Sequence, residues 1–139
     1  MSNDGPNFTL SAKSKADINK QKVVINLLEM NLIPCPSSAT LNEWDIIVCD
    51  GRREHSARIK VRAVTKKANG YYHYHLPLSD KYEILALVYE NRIGYHLKEH
   101  LPPGATKNPD VYFKRHAIEV SISTWQNANE LSRRGRNGE

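Results

Sequence analysis

The sequence predicts an α+β domain: a mixed β-sheet connected as a meander, with an N-terminal helix and a C-terminal helix packed on it. One early segment has helical periodicity, the middle of the chain is a series of short apolar or alternating segments separated by turn pairs, and strands outnumber helices. With 139 residues, 40% hydrophobic and 25% charged, the chain has the size and composition of one globular domain.

The predicted helix runs from Lys15 to Met30. Apolar residues recur in it at spacings of seven, three and four, and Ser14 or Asp17 can cap its start. Asn31 is suited to end it in a left-handed turn. The two prolines and two serines that follow predict a loop, formed by Pro34, Pro36, Ser37 and Ser38.

The remaining elements are predicted from apolar runs, alternation and turn pairs. The predicted strands are Trp44–Cys49, Ala57–Thr65, Tyr71–Leu76, Glu83–Tyr89, Arg92–Leu97 and Ala117–Ser123. The predicted turns are Asp50-Gly51, Asn69-Gly70, a capped turn at Ser79–Tyr82, Glu90-Asn91 and Pro102–Gly104. A closing helix is predicted over Thr124–Arg134. We expect residues 1–13 to form a flexible arm, 14–134 the domain and 135–139 a flexible basic tail.

No segment of the sequence predicts a membrane span or a signal peptide. The longest apolar run, Ile84–Tyr89, has six residues, whereas a transmembrane helix needs about 20. Cys35 and Cys49 form no CxxC pair, so neither a zinc site nor a disulfide scaffold is indicated. We therefore expect a protein of the reducing cytoplasm with no membrane partner.

The charge balance favours an anionic partner. Twenty Lys and Arg against fifteen Asp and Glu give a net charge of +5 and a pI near 9.2. Nucleic acid is the commonest such partner, although a mild positive charge can also serve solubility alone. Further positive charge lies near the end of the chain, at Lys114–His116 and Arg133–Arg136.

An aspartate at the start of a buried strand, followed by a hairpin and a strand carrying a lysine, has a known chemical use. Asp45 and Lys60 stand in this order, fifteen residues apart. Such an aspartate can hold Mg²⁺, and such a lysine can stabilise a developing phosphorane or help to activate water.

At this point the chain resembles the PD-(D/E)XK nuclease superfamily, in particular its small members related to intron-encoded endonucleases and Holliday junction resolvases. The resemblance covers Lys15 to Lys98 and depends on the order of the helix, WDIIV, ARIKVRAV, YYHYHL and SDKYEILALVYENRIGYHLK. It implies a restriction-endonuclease-like single domain, nucleic acid as the partner (DNA in preference to RNA) and, in related proteins, a homo-oligomer.

The chain departs from the family motif where acids are expected. The family places an acid or amide two residues before the lysine, and here that residue is Arg58. In a shifted register Lys60 takes the acidic position and Arg62 the lysine position. A glutamate on the first helix would fall near Lys20. Two like charges 4 Å apart cost roughly 4 kcal/mol at an effective dielectric near 20, so these cations disfavour a metal.

Three hypotheses follow from this pattern. In the first, the cutting centre is degenerate or relocated, Lys20, Arg58, Lys60 and Arg62 bind phosphates in a basic cleft, and Asp45 holds one of those cations; this needs no cofactor. In the second, an active endonuclease uses Mg²⁺ or Mn²⁺ held by Asp45 with Asp50 or Glu54, and Lys60 serves the transition state. In the third, the fold is a protein-interaction module acting on a nucleoprotein complex.

Simpler structural roles would also account for these residues. Alternating cations are typical of a solvated sheet face, and Asp45 could merely pair with Arg58 or Lys60. The aromatic segment Tyr71–His75 is typical of packing, although His73 and His75 could also ligate a metal or touch phosphates.

Overall fold

The first helix begins earlier than the sequence predicts. The computed structural model describes residues 11–36, 43–52, 54–119 and 121–125. Helix α1 spans Ala12–Glu29, and its cap is Ser11, whose hydroxyl accepts a hydrogen bond from the Ser14 N–H at 3.1 Å. The predicted boundary between arm and domain therefore falls inside α1. Asn31 has a φ of 62°, which confirms the left-handed end of the helix.

The predicted α+β class with a mixed sheet is confirmed. Within the described residues, the main sheet has five strands in the order β1-β2-β3-β6-β7, and a small sheet has the order β4-β5-β8. The strands are β1 Ile33–Pro36, β2 Ile46–Cys49, β3 Ser56–Ala63, β4 Thr65–Lys66, β5 Tyr72–His73, β6 Ile84–Tyr89, β7 Arg92–Leu97 and β8 Ala105–Thr106. Neighbouring strands are antiparallel except β3 and β6, which are parallel. The connection is therefore not a simple meander, because the chain must cross over between β3 and β6.

Three predicted elements need correction. The segment with Pro34 and Pro36 is strand β1, which pairs with β2 at the edge of the sheet, where a missing N–H is tolerated. The predicted strand Tyr71–Leu76 is reduced to the two residues of β5. Ser37 and Ser38 lie outside the described residues.

The third correction concerns the predicted strand Ala117–Ser123. Residues 116–119 and 121–125 are helical and form α2. Ile118, Val120 and Ile122 alternate as a strand would, but Ile118, Ile122 and Trp125 also have helical spacing and contact the core shared with α1. Of the predicted closing helix Thr124–Arg134, the first two residues are helical and the others lie outside the described residues.

The centre of the main sheet is buried on both faces. On one face, Val23 and Leu27 of α1 and Ile118 of α2 pack on the sheet. On the other face, Leu85 and Leu87 of β6 pack against a cluster of three tyrosines, Tyr74, Tyr82 and Tyr112. The continuous apolar run of β6 is explained by this position, because a strand covered on both faces has no solvent side.

Gly94 of β7 allows the segment around Tyr112 to lie against the sheet. A Cβ atom at this position would be 1.9 Å from the Tyr112 carbonyl oxygen.

Among the described residues, no helix is both long and apolar enough to cross a bilayer.

Candidate nucleic-acid interface

Asp45 lies where β2 begins and its side chain continues the pairing with β3. Its backbone N–H donates to the Ile59 carbonyl at 2.8 Å, and its Oδ2 atom accepts the Val61 N–H at 2.7 Å. The carboxylate thus takes the place of a main-chain acceptor for β3. It is therefore held in one orientation, with its side chain only 6% exposed.

Two lysines from different elements meet at the other carboxylate oxygen. The Lys20 ammonium, from α1, lies 3.2 Å from Asp45 Oδ1, and the Lys60 ammonium, from β3, lies 3.8 Å from the same atom. Lys20 reaches it because Lys20, Val23 and Leu27 share one face of α1, and that face packs on the sheet. One negative charge is thus shared by two positive charges.

The Lys60 ammonium is held in an unfavourable environment for a cation. Its side chain is 10% exposed. Burial lowers its pKa from the usual 10.5, the Asp45 carboxylate opposes this, and the nearby Arg62 and Lys20 charges lower the pKa further. An additional anion at this position would therefore favour the charged lysine.

Arg62 follows on the same strand face and adds a third cation. Its positive charge lowers the pKa of the Lys60 ammonium and opposes the burial that raises the pKa of the Tyr82 hydroxyl. The Arg62 Nε atom is buried and has no hydrogen-bond partner among the described residues. A buried donor without an acceptor costs about 1–3 kcal/mol, so a movement of the guanidinium that brought this nitrogen to an incoming phosphate oxygen would be favourable. We call Lys20, Lys60 and Arg62 around Asp45 the basic cluster.

Arg58 belongs to the same strand face but is neutralised locally. Its guanidinium forms a two-pronged ion pair with Glu83, whose Oε1 atom also accepts the Arg58 backbone N–H at 2.7 Å. The guanidinium carbon lies 5.5 Å from the ring centroid of Trp44. The hydrogen bond from Arg58 lowers the pKa of the Glu83 carboxyl below its usual 4.5. Arg58 therefore does not share Asp45 with the lysines.

Asp50 and Glu54, the predicted additional metal ligands, lie at the other end of β2. Asp50 is buried, and its Oδ1 atom accepts the N–H groups of Glu54 and His55 at 2.9 and 3.2 Å, which shapes the turn into β3. The four residues of β2 separate Asp50 from Asp45, which corresponds to about 16 Å of strand. The structure does not bring these carboxylates together with Asp45.

The basic cluster does not fit a divalent metal. Mg²⁺ and Mn²⁺ need several oxygen ligands, and Lys and Arg offer none. The Asp45 oxygens are engaged by one amide and two ammonium groups. Within residues 11–36, 43–52, 54–119 and 121–125, no three His, Cys, Asp or Glu side chains are grouped as a metal would need. His73 and His75 stack edge to face at 5.4 Å and form no such group.

The sequence predicted that Lys20, Arg58, Lys60 and Arg62 line one cleft around Asp45. The structure brings Lys20 and Lys60 to Asp45, with the charge of Arg62 near Lys60. It pairs Arg58 with Glu83 instead. Sequence reasoning missed Glu83. This partner depends on the parallel pairing of β3 with β6, which places the start of β6 beside Arg58. No local pattern in the sequence reveals that pairing.

Comparison with solved structures supports this architecture. The structure of a bacterial homing endonuclease, I-Ssp6803I, is similar to 88% of this chain and 99% of its own, with a TM-score of 0.66 and 15% sequence identity. At that identity the similarity shows a shared nuclease-like α+β fold. No protein-family model and no curated protein sequence matches the chain.

Proposed function

We propose that this chain is a nucleic-acid-binding protein of PD-(D/E)XK-like fold that binds DNA phosphates through the basic cluster and has lost the cutting centre. The observation that carries the proposal is the state of Asp45. Its carboxylate receives two ammonium groups and a backbone amide in the position from which the family motif would hold a metal.

The charge of the basic cluster suits a polyanion. Three cations and one carboxylate leave two positive charges when both lysines are protonated. Each phosphate that replaces a counterion on such a surface contributes to binding without base recognition. The shared fold with a homing endonuclease makes DNA the first nucleic acid to test.

Asp45 has a positioning role in this proposal. A lysine side chain is long and mobile, and a fixed carboxylate between two of them holds both ammonium groups at one place. The amide of Val61 fixes the carboxylate in turn. The cations are thereby pre-organised for a phosphate, which lowers the entropic cost of binding.

The direct test is a fluorescence-anisotropy titration of the full chain with labelled duplex DNA, in EDTA and again with Mg²⁺ or Mn²⁺. We expect binding in EDTA, and log Kd that rises with log salt concentration by about 0.9 for each phosphate contacted. A flat salt response, or binding that requires the metal, would contradict the proposal.

The Asp45→Asn variant distinguishes a protein that only binds DNA from an active nuclease. Asparagine keeps an acceptor for the Val61 N–H but removes the negative charge from the basic cluster. We expect tighter DNA binding by the variant, because the negative charge that it removes repels phosphate more strongly than the positioning of the lysines by Asp45 favours binding. The matched control is Asp50→Asn, which alters a buried aspartate at the other end of β2 and should leave affinity unchanged. Metal-dependent DNA cleavage by the native chain that Asp45→Asn abolishes would instead establish the enzyme.

A further inference from the structure

A groove beside the basic cluster has the composition of a ligand site. It encloses about 360 Å³ between the first half of α1 and the end of β3, which is at the small end of the range for small-molecule sites. Its apolar lining comes from Ala12, Ala16, Val61 and Ala63, and its cations are Lys15, Lys20 and Arg62. Lys20 and Arg62 thus belong both to this groove and to the basic cluster.

The alanines of α1 create the space. Ala12 and Ala16 are four residues apart, so they lie one above the other on the helix face that lines the groove. A longer side chain at either position would occupy the volume between α1 and β3. The groove is therefore open because of side-chain size at these two positions.

The polar groups in the groove are of the kind that recognise a base. Asn19 offers an amide, which can donate to and accept from a base edge. His75 offers an imidazole ring, a surface on which a base can stack. That ring contacts His73 edge to face at 5.4 Å, and the Thr65 hydroxyl lies 2.7 Å from His73 Nε2.

A second observation points to an anion at the same place. The buried Nε atom of Arg62 has no acceptor among the described residues, although the side chain lines the groove. Lys20 lines it too, and its side chain is 38% exposed. A phosphate bound by these two cations would leave the attached nucleoside facing the alanines.

From this arrangement we infer that the groove takes a single unstacked nucleotide, with its phosphate on Lys20 and Arg62 and its base between the alanines of α1 and His75. This inference rests on the proposed function and narrows its substrate class to DNA with an unpaired base. Continuous duplex would use the basic cluster alone.

The test compares three blunt duplexes of equal length: fully paired, with one central bulged nucleotide, and with the same bulge lacking its base. The two bulged duplexes share the same backbone and the same number of phosphates, so their comparison isolates the base. Stacking of one base changes affinity by about tenfold, and we expect the bulge with a base to bind more tightly by that factor.

Ala16→Leu fills the groove without altering charge. We expect it to remove the preference for the base while affinity for the paired duplex stays unchanged. Gln21→Leu is the control, because Gln21 is exposed on α1 outside the groove. With 2-aminopurine as the bulged base, binding by the native chain should change its fluorescence, and binding by Ala16→Leu should not.

The outcomes separate this inference from the proposed function. Equal affinity for the two bulged duplexes, in a chain that does bind DNA, overturns the inference and leaves the proposed function standing. A preference that survives Ala16→Leu also overturns it, since the base would then bind elsewhere. Failure to bind all three duplexes overturns the proposed function itself.

Discussion

The two ends of one strand face carry similar cations in different electrostatic surroundings. At the start of β3, Arg58 and Glu83 form a neutral pair in which both side chains are about 40% exposed. Further along, Lys60 shares the buried Asp45 carboxylate with Lys20. The Arg58 end is a neutral ion pair exposed to water. The Lys60 end has two ammonium groups beside one carboxylate and is largely buried.

The difference shows that alternation on a strand does not determine what a cation can do. Arg58 is matched because the residue immediately before the parallel strand β6 is a glutamate, Glu83, which lies beside it. Lys60 shares the Asp45 carboxylate with a second lysine, because α1 brings Lys20 to the same oxygen. Whether a cation of β3 can bind phosphate therefore depends on elements distant in sequence. On β3 the positive charge that can do so lies at the Lys60–Arg62 end.

The largest expected effect is on the free energy of unfolding, and it should differ between removal of the Asp45 carboxylate and removal of the Glu83 carboxylate. Asp45→Ala should lower the free energy of unfolding by about 3 kcal/mol, because it removes the compensation for a buried ammonium and the acceptor for the Val61 N–H. Glu83→Ala should cost about 1 kcal/mol, since an exposed ion pair is screened by water. Urea denaturation of both variants measures the difference.

Asp45→Asn serves as the control for this contrast, because it retains an acceptor and should lose less stability than Asp45→Ala. Equal losses for Asp45→Ala and Glu83→Ala would show that the two ends of the strand are energetically equivalent, and the comparison would fail.

The next effect is on DNA affinity. Arg62→Gln should weaken binding about fivefold and reduce the salt slope by about one, because a cation available to phosphate is lost. Arg58→Gln should change neither quantity, since Arg58 is already paired with Glu83. Anisotropy titrations at several salt concentrations give both numbers. If Arg58→Gln lost more DNA affinity than Arg62→Gln, Arg58 and not Arg62 would be the arginine that binds phosphate.

Local patterns were sufficient for much of the fold. Helix α1, the left-handed Asn31 and strand β7 follow from periodicity and turn chemistry, and the structure has them. The predicted strand at Ala117–Ser123 was wrong because its apolar residues are spaced by two, as in a strand, while Ile118 and Ile122 are spaced by four, as on one helix face. The edge strand β1 was missed because two prolines in four residues indicate a loop until a neighbour is known.

The site was predictable in a similar way. Asp45, Lys60 and Lys20 could be placed together because a family resemblance supplied the order of elements, and the contacts agree with it. The neutralisation of Arg58 and the groove at Ala16 could not be predicted, since both depend on tertiary packing: one on the β3–β6 pairing, the other on the distance between α1 and β3.

A smaller effect distinguishes the ends of β3 in acid. The hydrogen bond from Arg58 lowers the pKa of the Glu83 carboxyl. Its stabilisation is therefore fully present above the usual pKa of 4.5 and is lost as pH falls through the lowered value. Relative to Glu83→Gln, the native chain should lose stability over that interval, by less than about 1 kcal/mol for so exposed a pair. A constant difference between the two proteins would contradict this.

The smallest expected effect lies at alkaline pH and has the opposite cause. Burial lowers the pKa of the Lys60 ammonium, so between that lowered value and 10.5 the unfolded chain binds more protons than the folded chain. The contribution of Lys60 to the free energy of unfolding must then rise with pH across that interval. Thermal denaturation of the native chain and Lys60→Met from pH 8 upwards isolates this contribution, because the buried tyrosines titrate alike in both proteins. A difference that falls with pH would mean that the attraction of Asp45 outweighs burial, and Lys60 would then resemble Arg58 as a satisfied cation.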